Sequence, residues 1–255
     1  MFIKRLIEYF LYRLGIIVIA KKRLNDFLIT RRMRKIIRKY KIDCIIDVGA
    51  NIGQYRKFLR NQVGYRGLII SFEPDPENIE ALKNASKQDR RWIIQDYALG
   101  KETSKLELNI MNNSEFNSFL APDHSQSDRY IEQNSVVSKF EVDVKRLDEV
   151  LPKIRETNNF TNVFLKLDTQ GFDLEVFDGC AGCMDLISGV QTEVSVLPLY
   201  KNMPAIGDSI DLFRSKGFEV SGLYAVSESR FPHAMEFDCI YLPEAKNRDT
   251  SKNPI

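Results

Sequence analysis

The chain alternates short apolar runs with stretches in which apolar residues recur at helical spacing, the layout of an open α/β domain. Residues 44–48, 67–72, 92–94, 163–167 and 190–196 have the length and composition of strands buried on both faces of a mostly parallel sheet. Helices are predicted between them: from Ile52 to about Val63, from Pro76, which suits a first helical turn, through Lys87, and again after Phe172. Residues 105–111 and 140–144 instead alternate apolar and polar side chains, so they are expected to pair as a half-exposed hairpin. The polar stretch between them, 112–138, reads as a substrate lid or as an unstructured solvent loop. A Pro-containing loop at 197–207 then leads to a helix through Lys216 and to strands near 218–224 and 237–242. The organisation expected is a basic N-terminal helical segment over 1–41, one α/β domain over 42–243 and a flexible tail over 244–255.

At 255 residues and 44% hydrophobic content the chain can bury one large core. Its net charge of +2 hides an asymmetry: the first 41 residues hold 13 of the 37 Lys and Arg and two acids, Glu8 and Asp26. That segment is formally +11, and the remainder −9. Phe2, Ile3, Leu6, Ile7, Phe10, Leu11 and Leu14 recur at helical spacing among Lys4, Arg5 and Arg13. An amphipathic helix on anionic lipid would show this pattern, and so would a helix packed on the domain with its charges solvated, which is the plainer reading. The clean apolar run 14–20 is too short to span a bilayer. No recognition motif accompanies Arg31-Arg32-Met33-Arg34-Lys35, so nucleic acid is not expected as a partner. Glu8 and Arg13 interrupt the first apolar stretch and no signal peptide is evident, so a cytoplasmic location is expected, peripheral at the inner face of the membrane if the N-terminus binds lipid. Cys180 and Cys183 form a lone C-x-x-C, and with only His124 and His233 to complete a cage a reduced, structural role is expected.

Candidate chemistry begins where the first run breaks at Asp47-Val48-Gly49-Ala50-Asn51-Ile52-Gly53 and the second ends at Phe72-Glu73-Pro74. A dinucleotide site would place G-x-G-x-x-G at this turn, whereas the spacing here is Gly-x-x-x-Gly. Such a turn still offers backbone N–H groups and a helix N-terminus to a carboxylate. Glu73 can accept from both hydroxyls of a ribose and would repel a 2′-phosphate, which favours S-adenosylmethionine over NADP. An NAD-linked oxidoreductase and a non-catalytic nucleoside-fold protein with a membrane- or partner-binding N-terminus are the alternatives.

Those two motifs, with Ala98-Leu99-Gly100, Arg146-Leu147-Asp148, Leu165-Lys166-Leu167-Asp168-Thr169-Gln170-Gly171-Phe172-Asp173 and Phe237-Asp238-Cys239-Ile240-Tyr241, resemble the successive motifs of FkbM-type methyltransferases over roughly residues 43–242. The resemblance implies a class I methyltransferase fold: a Rossmann-like three-layer α/β sandwich with a mostly parallel seven-stranded sheet, its last strand antiparallel, here preceded by the helical segment. It also implies methyl transfer from S-adenosylmethionine, usually to a hydroxyl oxygen. Carried over by position, the methionine part of the cofactor belongs near Asp47, Gly49, Asn51 and Gly53, the ribose at Glu73, and the adenine edge near Asp96 and Tyr97. Asp96 reads equally well as an ordinary loop acid.

Methyl transfer from a sulfonium is an in-line displacement, so alignment comes first and a general base for the acceptor hydroxyl second. Asp168 and Glu193 lie where strand ends face the crevice and are the leading candidates, followed by Asp173 and His233. Asp173 is as well explained as the acid of a helix N-terminus, and the family commonly has Glu at its position. Glu193 lies among β-branched residues of a central strand and needs a partner. Lys166 would pair with an acid in the site or hold its ammonium in water at a sheet edge. No metal ligands are assigned, and Mg²⁺ held by three carboxylates is left open. In the lid, Phe116, Phe119 and Tyr130 are expected to stack on sugar faces, with Asn113, Asn117 and Ser118 bonding hydroxyls. The acceptor expected is a small molecule or a glycan or glycolipid, within surface glycan biosynthesis.

Overall fold

A computed structural model describes residues 11, 13, 14, 16, 24–125, 130–228 and 234–244. Its elements run α1 (Leu24–Lys39), β1 (Cys44–Val48), α2 (Gln54–Phe58, continued by a π-helical turn, Leu59–Val63), β2 (Leu68–Phe72), α3 (Pro76–Ser86), β3 (Trp92–Gln95), β4 (Ala98–Leu99), β5 (Ser104–Met111), β6 (Val136–Lys145), α4 (Leu147–Thr157), β7 (Val163–Leu167), α5 (Asp173–Asp178), β8 (Ile187–Ser195), α6 (Ile206–Ser215), β9 (Phe218–Glu228) and β10 (Ala234–Pro243). Seven strands form one sheet in the order β3-β2-β1-β7-β8-β10-β9. The first five are parallel. β10 runs antiparallel to both of its neighbours. Chain order reverses between β1 and β7, and in an open α/β sheet a ligand crevice lies outside the strand ends at such a switch point.

The runs are apolar throughout because both faces of the sheet are covered. Cys44, Ile46 and Val48, with Leu165 and Leu167, pack against α4, α5 and α6 through Leu151, Val176 and Phe213. Ile45, Ile69 and Phe164 pack on the opposite side against α1, α2 and α3 through Met33, Leu59 and Leu82. The result is the predicted three-layer sandwich. β5 and β6 pair antiparallel as expected, Leu106 opposite Val142. They form a separate three-stranded sheet with β4, a two-residue strand too short to show a pattern in the sequence. α4 is likewise hidden there, because Pro152 stands in the helix interior and breaks the helical signal. The buried Leu147 and Leu151 nonetheless supply an inner face.

The amphipathic pattern over residues 2–10, the tail from 245 and His233 lie outside the described residues. Within the basic segment, α1 buries Met33 and Ile36. Arg32 donates to Ser221 O at 2.8 Å, and Arg34 to Val63 O at 3.1 Å. Part of the charge therefore holds the helix on the domain.

Candidate active site

The site begins with a polar row that crosses the sheet. Ser71, Asp47, Lys166 and Gln191 are register partners on β2, β1, β7 and β8. Alternation places them on the face that also carries Ile45, Ile69 and Phe164. Each is almost fully buried, and each is satisfied in turn. Trp92 Nε1 donates to Ser71 Oγ at 2.9 Å, and Ser71 Oγ to Asp47 Oδ2 at 3.1 Å. Lys166 Nζ donates to Leu167 O and to Asp168 Oδ2, both at 3.1 Å, and lies 4.0 Å from Asp238 Oδ1. Gln191 Nε2 donates to Asp238 Oδ1 at 2.8 Å, and Tyr55 OH to Gln191 Oε1 at 3.0 Å. Burial alone would lower the pKa of Lys166, but Asp168, Asp238 and Glu193 outweigh it and hold the ammonium charged.

Just beyond this row, at the carboxyl ends of the strands, a cavity of about 380 Å³ opens between the main sheet and the three-stranded one. Asp47, Gly49, Asn51 and Glu73 line it from the β1 and β2 ends, and Asp168, Glu193 and Glu236 from β7, β8 and β10. Phe72, Leu99, Leu108 and Phe119 give it an apolar wall. Gly49 holds φ +78°, and a Cβ there would fall 2.0 Å from Asp168 O, so only glycine lets the turn after β1 pass the end of β7. Gly49→Ala is expected to cost roughly 3 kcal/mol or more from positive φ and overpacking together. Thermal unfolding checks this, and a wild-type midpoint would show that the turn yields.

Glu73 closes the other side of the turn. Its Oε2 accepts from Asn51 N at 2.7 Å and its Oε1 from Asp75 N at 3.0 Å. Burial pushes its pKa up to about 7 despite these bonds. Burial raises Asp47 to about 7 as well, against the opposing pull of Lys166 and Ser71. Asn51 holds a left-handed φ of 47°, tolerable for its short polar side chain, and its Nδ2 donates to Ser114 Oγ at 3.0 Å.

On the β7 and β8 side, Gln170 is the joint. Its backbone is left-handed, φ 51°, ahead of Gly171. Its Nε2 reaches Asp168 Oδ1 at 3.2 Å and Glu193 Oε2 at 3.4 Å. Its Oε1 lies 2.9 Å from Tyr200 OH, which also reaches Phe116 O at 2.8 Å. Ser118 Oγ donates to Gln170 O at 2.7 Å. One side chain thus ties Asp168, just past β7, and Glu193, within β8, to the loop over the cavity. Burial raises the pKa of Glu193, and the neighbouring Asp168 and Glu236 raise it further.

Several expected residues fall elsewhere. Asp173 does not line the cavity: its carboxylate accepts from Thr169 N at 2.7 Å and Thr192 Oγ1 at 2.6 Å, a local anchor for the start of α5. Gly53 turns the chain into α2 against Trp92, with φ +90°. Asp96 points outward to Lys83 Nζ at 3.0 Å because β3 ends at Gln95. Tyr97 faces the core, edge-on to Phe72 at 5.6 Å and with Lys145 Nζ 3.8 Å from its ring centre. In the loop, Phe116, Phe119, Asn117, Ser118 and Tyr130 do line the cavity. Its polar groups are spent on holding it closed: Asn117 Nδ2 donates to Asp75 Oδ2 at 2.9 Å and Asn117 Oδ1 accepts from Met111 N at 2.9 Å. Asn113 caps the turn at Glu115 N. Gln170 stands inside the Leu165–Asp173 motif with no role legible there, and Tyr200 and Glu236 are single residues without a motif. Cys180 and Cys183 are buried in the core, and Cys180 Sγ donates to Val176 O. Among the described residues no three His, Cys, Asp or Glu side chains are arranged to hold a metal ion. No helix among them is long and apolar enough to cross a membrane.

Sheet order, antiparallel last strand and a crevice at the β1/β7 switch define a class I methyltransferase-like fold. The methyltransferase FkbM domain profile matches residues 47–220, and the chain belongs to that family. The crystal structure of an FkbM methyltransferase from Methylobacillus flagellatus KT superposes with a TM-score of 0.51 at 16% identity, covering 79% of this chain and 43% of that one. This chain therefore spans less than half the length of that relative. Magnesium protoporphyrin IX methyltransferase from Synechocystis PCC 6803, solved with S-adenosylmethionine bound, gives 0.46 at 7% identity over 87% of this chain and 81% of that one. Fibrillarin from Aeropyrum pernix, also with S-adenosylmethionine, gives 0.43 at 11% identity over 78% and 66%. No curated protein matches the chain.

Proposed function

We propose that the cavity binds S-adenosylmethionine and that the chain transfers its methyl group to a hydroxyl oxygen of a hydroxyl-rich acceptor, such as a sugar of a surface glycan or glycolipid. The observation that carries this reading is Glu73, whose two oxygens are each fixed by one backbone N–H beside the cavity. An ionised carboxylate has about four acceptor positions, so beyond these two bonds, with the Asn78 side chain beside it, Glu73 keeps acceptor capacity for ligand hydroxyls. The apolar wall of Phe72, Leu99, Leu108 and Phe119 suits an adenine face. S-adenosylmethionine supplies an electrophilic methyl carbon on a sulfonium. Asp47, Asp168, Glu193 and Glu236 give the cavity an acidic lining, whose ionised form a bound cation would favour. Glu193, which lines the cavity and is linked to Asp168 through Gln170, is the carboxyl placed to take the acceptor hydroxyl's proton when ionised.

Titration calorimetry with S-adenosylhomocysteine tests the nucleoside half of this reading. Binding is expected, with no heat from NADH; silence from the first ligand or competition by the second would sink it. The acceptor half is tested by mass spectrometry of polysaccharide extracts incubated with the chain and S-adenosylmethionine. Products methylated only at nitrogen would overturn the hydroxyl assignment.

A further inference from the structure

We infer that the outward face of α1 is a docking surface for an anionic phospholipid leaflet. The inner face of this helix is already used: Ile29, Met33, Ile36 and Tyr40 follow at helical spacing and pack on the domain core. On the opposite side Leu24, Leu28, Arg31, Lys35 and Arg38 follow at intervals of four and three residues, and all five are exposed. Leu24 is 46% and Leu28 42% exposed, although the helix has no further core to cover. Arg31 and Lys35 have no carboxylate partner among the described residues. Two apolar side chains at one end and three cations along the other half of a stripe about 21 Å long match the layout of a bilayer interface, with leucines at the acyl boundary and cations among the phosphates.

Charge segregation points to the same partner. Residues 24–41 hold seven Lys and Arg against one acid, Asp26, whereas the chain from residue 42 on is formally −9, so an anionic plane attracts the α1 side of the described domain. The attachment is also oriented. Asn25 Nδ2 donates to Ala225 O at 3.0 Å, which sets the leucine end of α1 beside Val226. Val226 lines the cavity and is 52% exposed. A leaflet lying along α1 thus meets the mouth of the cavity. The docking surface stands without any assumption about chemistry; its use, to bring a lipid-borne acceptor to the cavity, rests on the methyl-transfer reading.

Sedimentation of the full chain with vesicles of phosphatidylcholine and phosphatidylglycerol is the test. Binding is expected at low salt, falling with added salt and with phosphatidylcholine alone. A variant carrying Arg31→Glu, Lys35→Glu and Arg38→Glu should bind these vesicles on the order of a hundredfold more weakly. Leu24→Ser with Leu28→Ser should weaken binding by roughly tenfold or more. Both variants should keep the wild-type melting temperature and S-adenosylhomocysteine affinity, because none of the five side chains enters the core or the cavity. Equal sedimentation of the charge-reversed variant and the unaltered chain overturns the proposal, as does equal binding to neutral vesicles or a preference for RNA over vesicles. Failure of the methyl-transfer reading shows separately, as vesicle binding without S-adenosylhomocysteine binding.

Discussion

Glu73→Gln is expected to weaken S-adenosylmethionine binding by a factor of roughly 10²–10³. Each hydrogen bond to a charged group contributes about 1.5–3 kcal/mol, and two ribose hydroxyls would donate to this carboxylate. The isosteric amide accepts at one oxygen only, and its NH₂ would face an N–H of Asn51 or Asp75. Burial has raised the pKa of Glu73 to about 7, so part of the free chain carries it protonated near neutrality. Two donating hydroxyls favour the ionised form, so binding releases a proton and wild-type affinity climbs as pH rises toward about 7, then levels. In the free chain the linkage has the opposite consequence. A carboxyl whose folded pKa lies above its unfolded value contributes stability that is complete below the unfolded value and is lost as pH rises through the folded one. Glu73, with Asp47 acting in the same direction, should therefore make the unliganded chain melt lower at about pH 8 than at about pH 6, and saturating ligand should narrow that gap. Calorimetry across this range, with melts of both free proteins to control for the turn, checks the set. An affinity for Glu73→Gln within about threefold of wild type would remove Glu73 from the ribose site.

What the sequence made legible follows from which constraints are local. β1 and β7 were readable to the residue because a strand covered on both faces must be apolar along its whole length. Gly49 and Glu73 were readable because a turn that passes a neighbouring strand end needs glycine, and an acid after the next strand has few other uses at that place. Asp168 and Glu193 followed from the rule that strand ends face the crevice. The rest depends on register and backbone direction, which spacing does not encode. Asp96 is near the site in sequence, but the chain leaves β3 one residue earlier and turns the carboxylate out to Lys83. Gln170 sits in the motif next to Asp168, yet its work requires a left-handed backbone and Tyr200, thirty residues on. The hairpin showed through alternation, whereas α4 was hidden by Pro152.

Lys166 shows the same dependence on register most fully, and its replacement by Met should have the largest effect on stability. Alone it is a lysine in an apolar run; in the sheet it is partnered by Asp47 and Gln191 and bonded to Asp168. The acids around it are themselves under strain from burial, which raises the pKa of Asp238, Glu193 and Asp173. Removing one partner from such a buried cluster typically costs about 3–5 kcal/mol, because charge is left uncompensated. For a chain of this size that is a fall of roughly 10 °C in melting temperature. The sign of the pH dependence separates this cause from a mere packing defect. Without the ammonium the folded-state pKa values of Asp47 and Asp238 rise further, so the folded form holds protons that the unfolded chain has released. The stability they contribute is then present at low pH and lost as pH rises, and the deficit of Lys166→Met should be smaller at about pH 5 than at about pH 8. A cavity left by the shorter side chain would produce the same deficit at both. Equal deficits in paired thermal melts would therefore reduce Lys166 to a packing element, whereas a widening deficit would establish it as the cation on which the acid lining of the cavity depends.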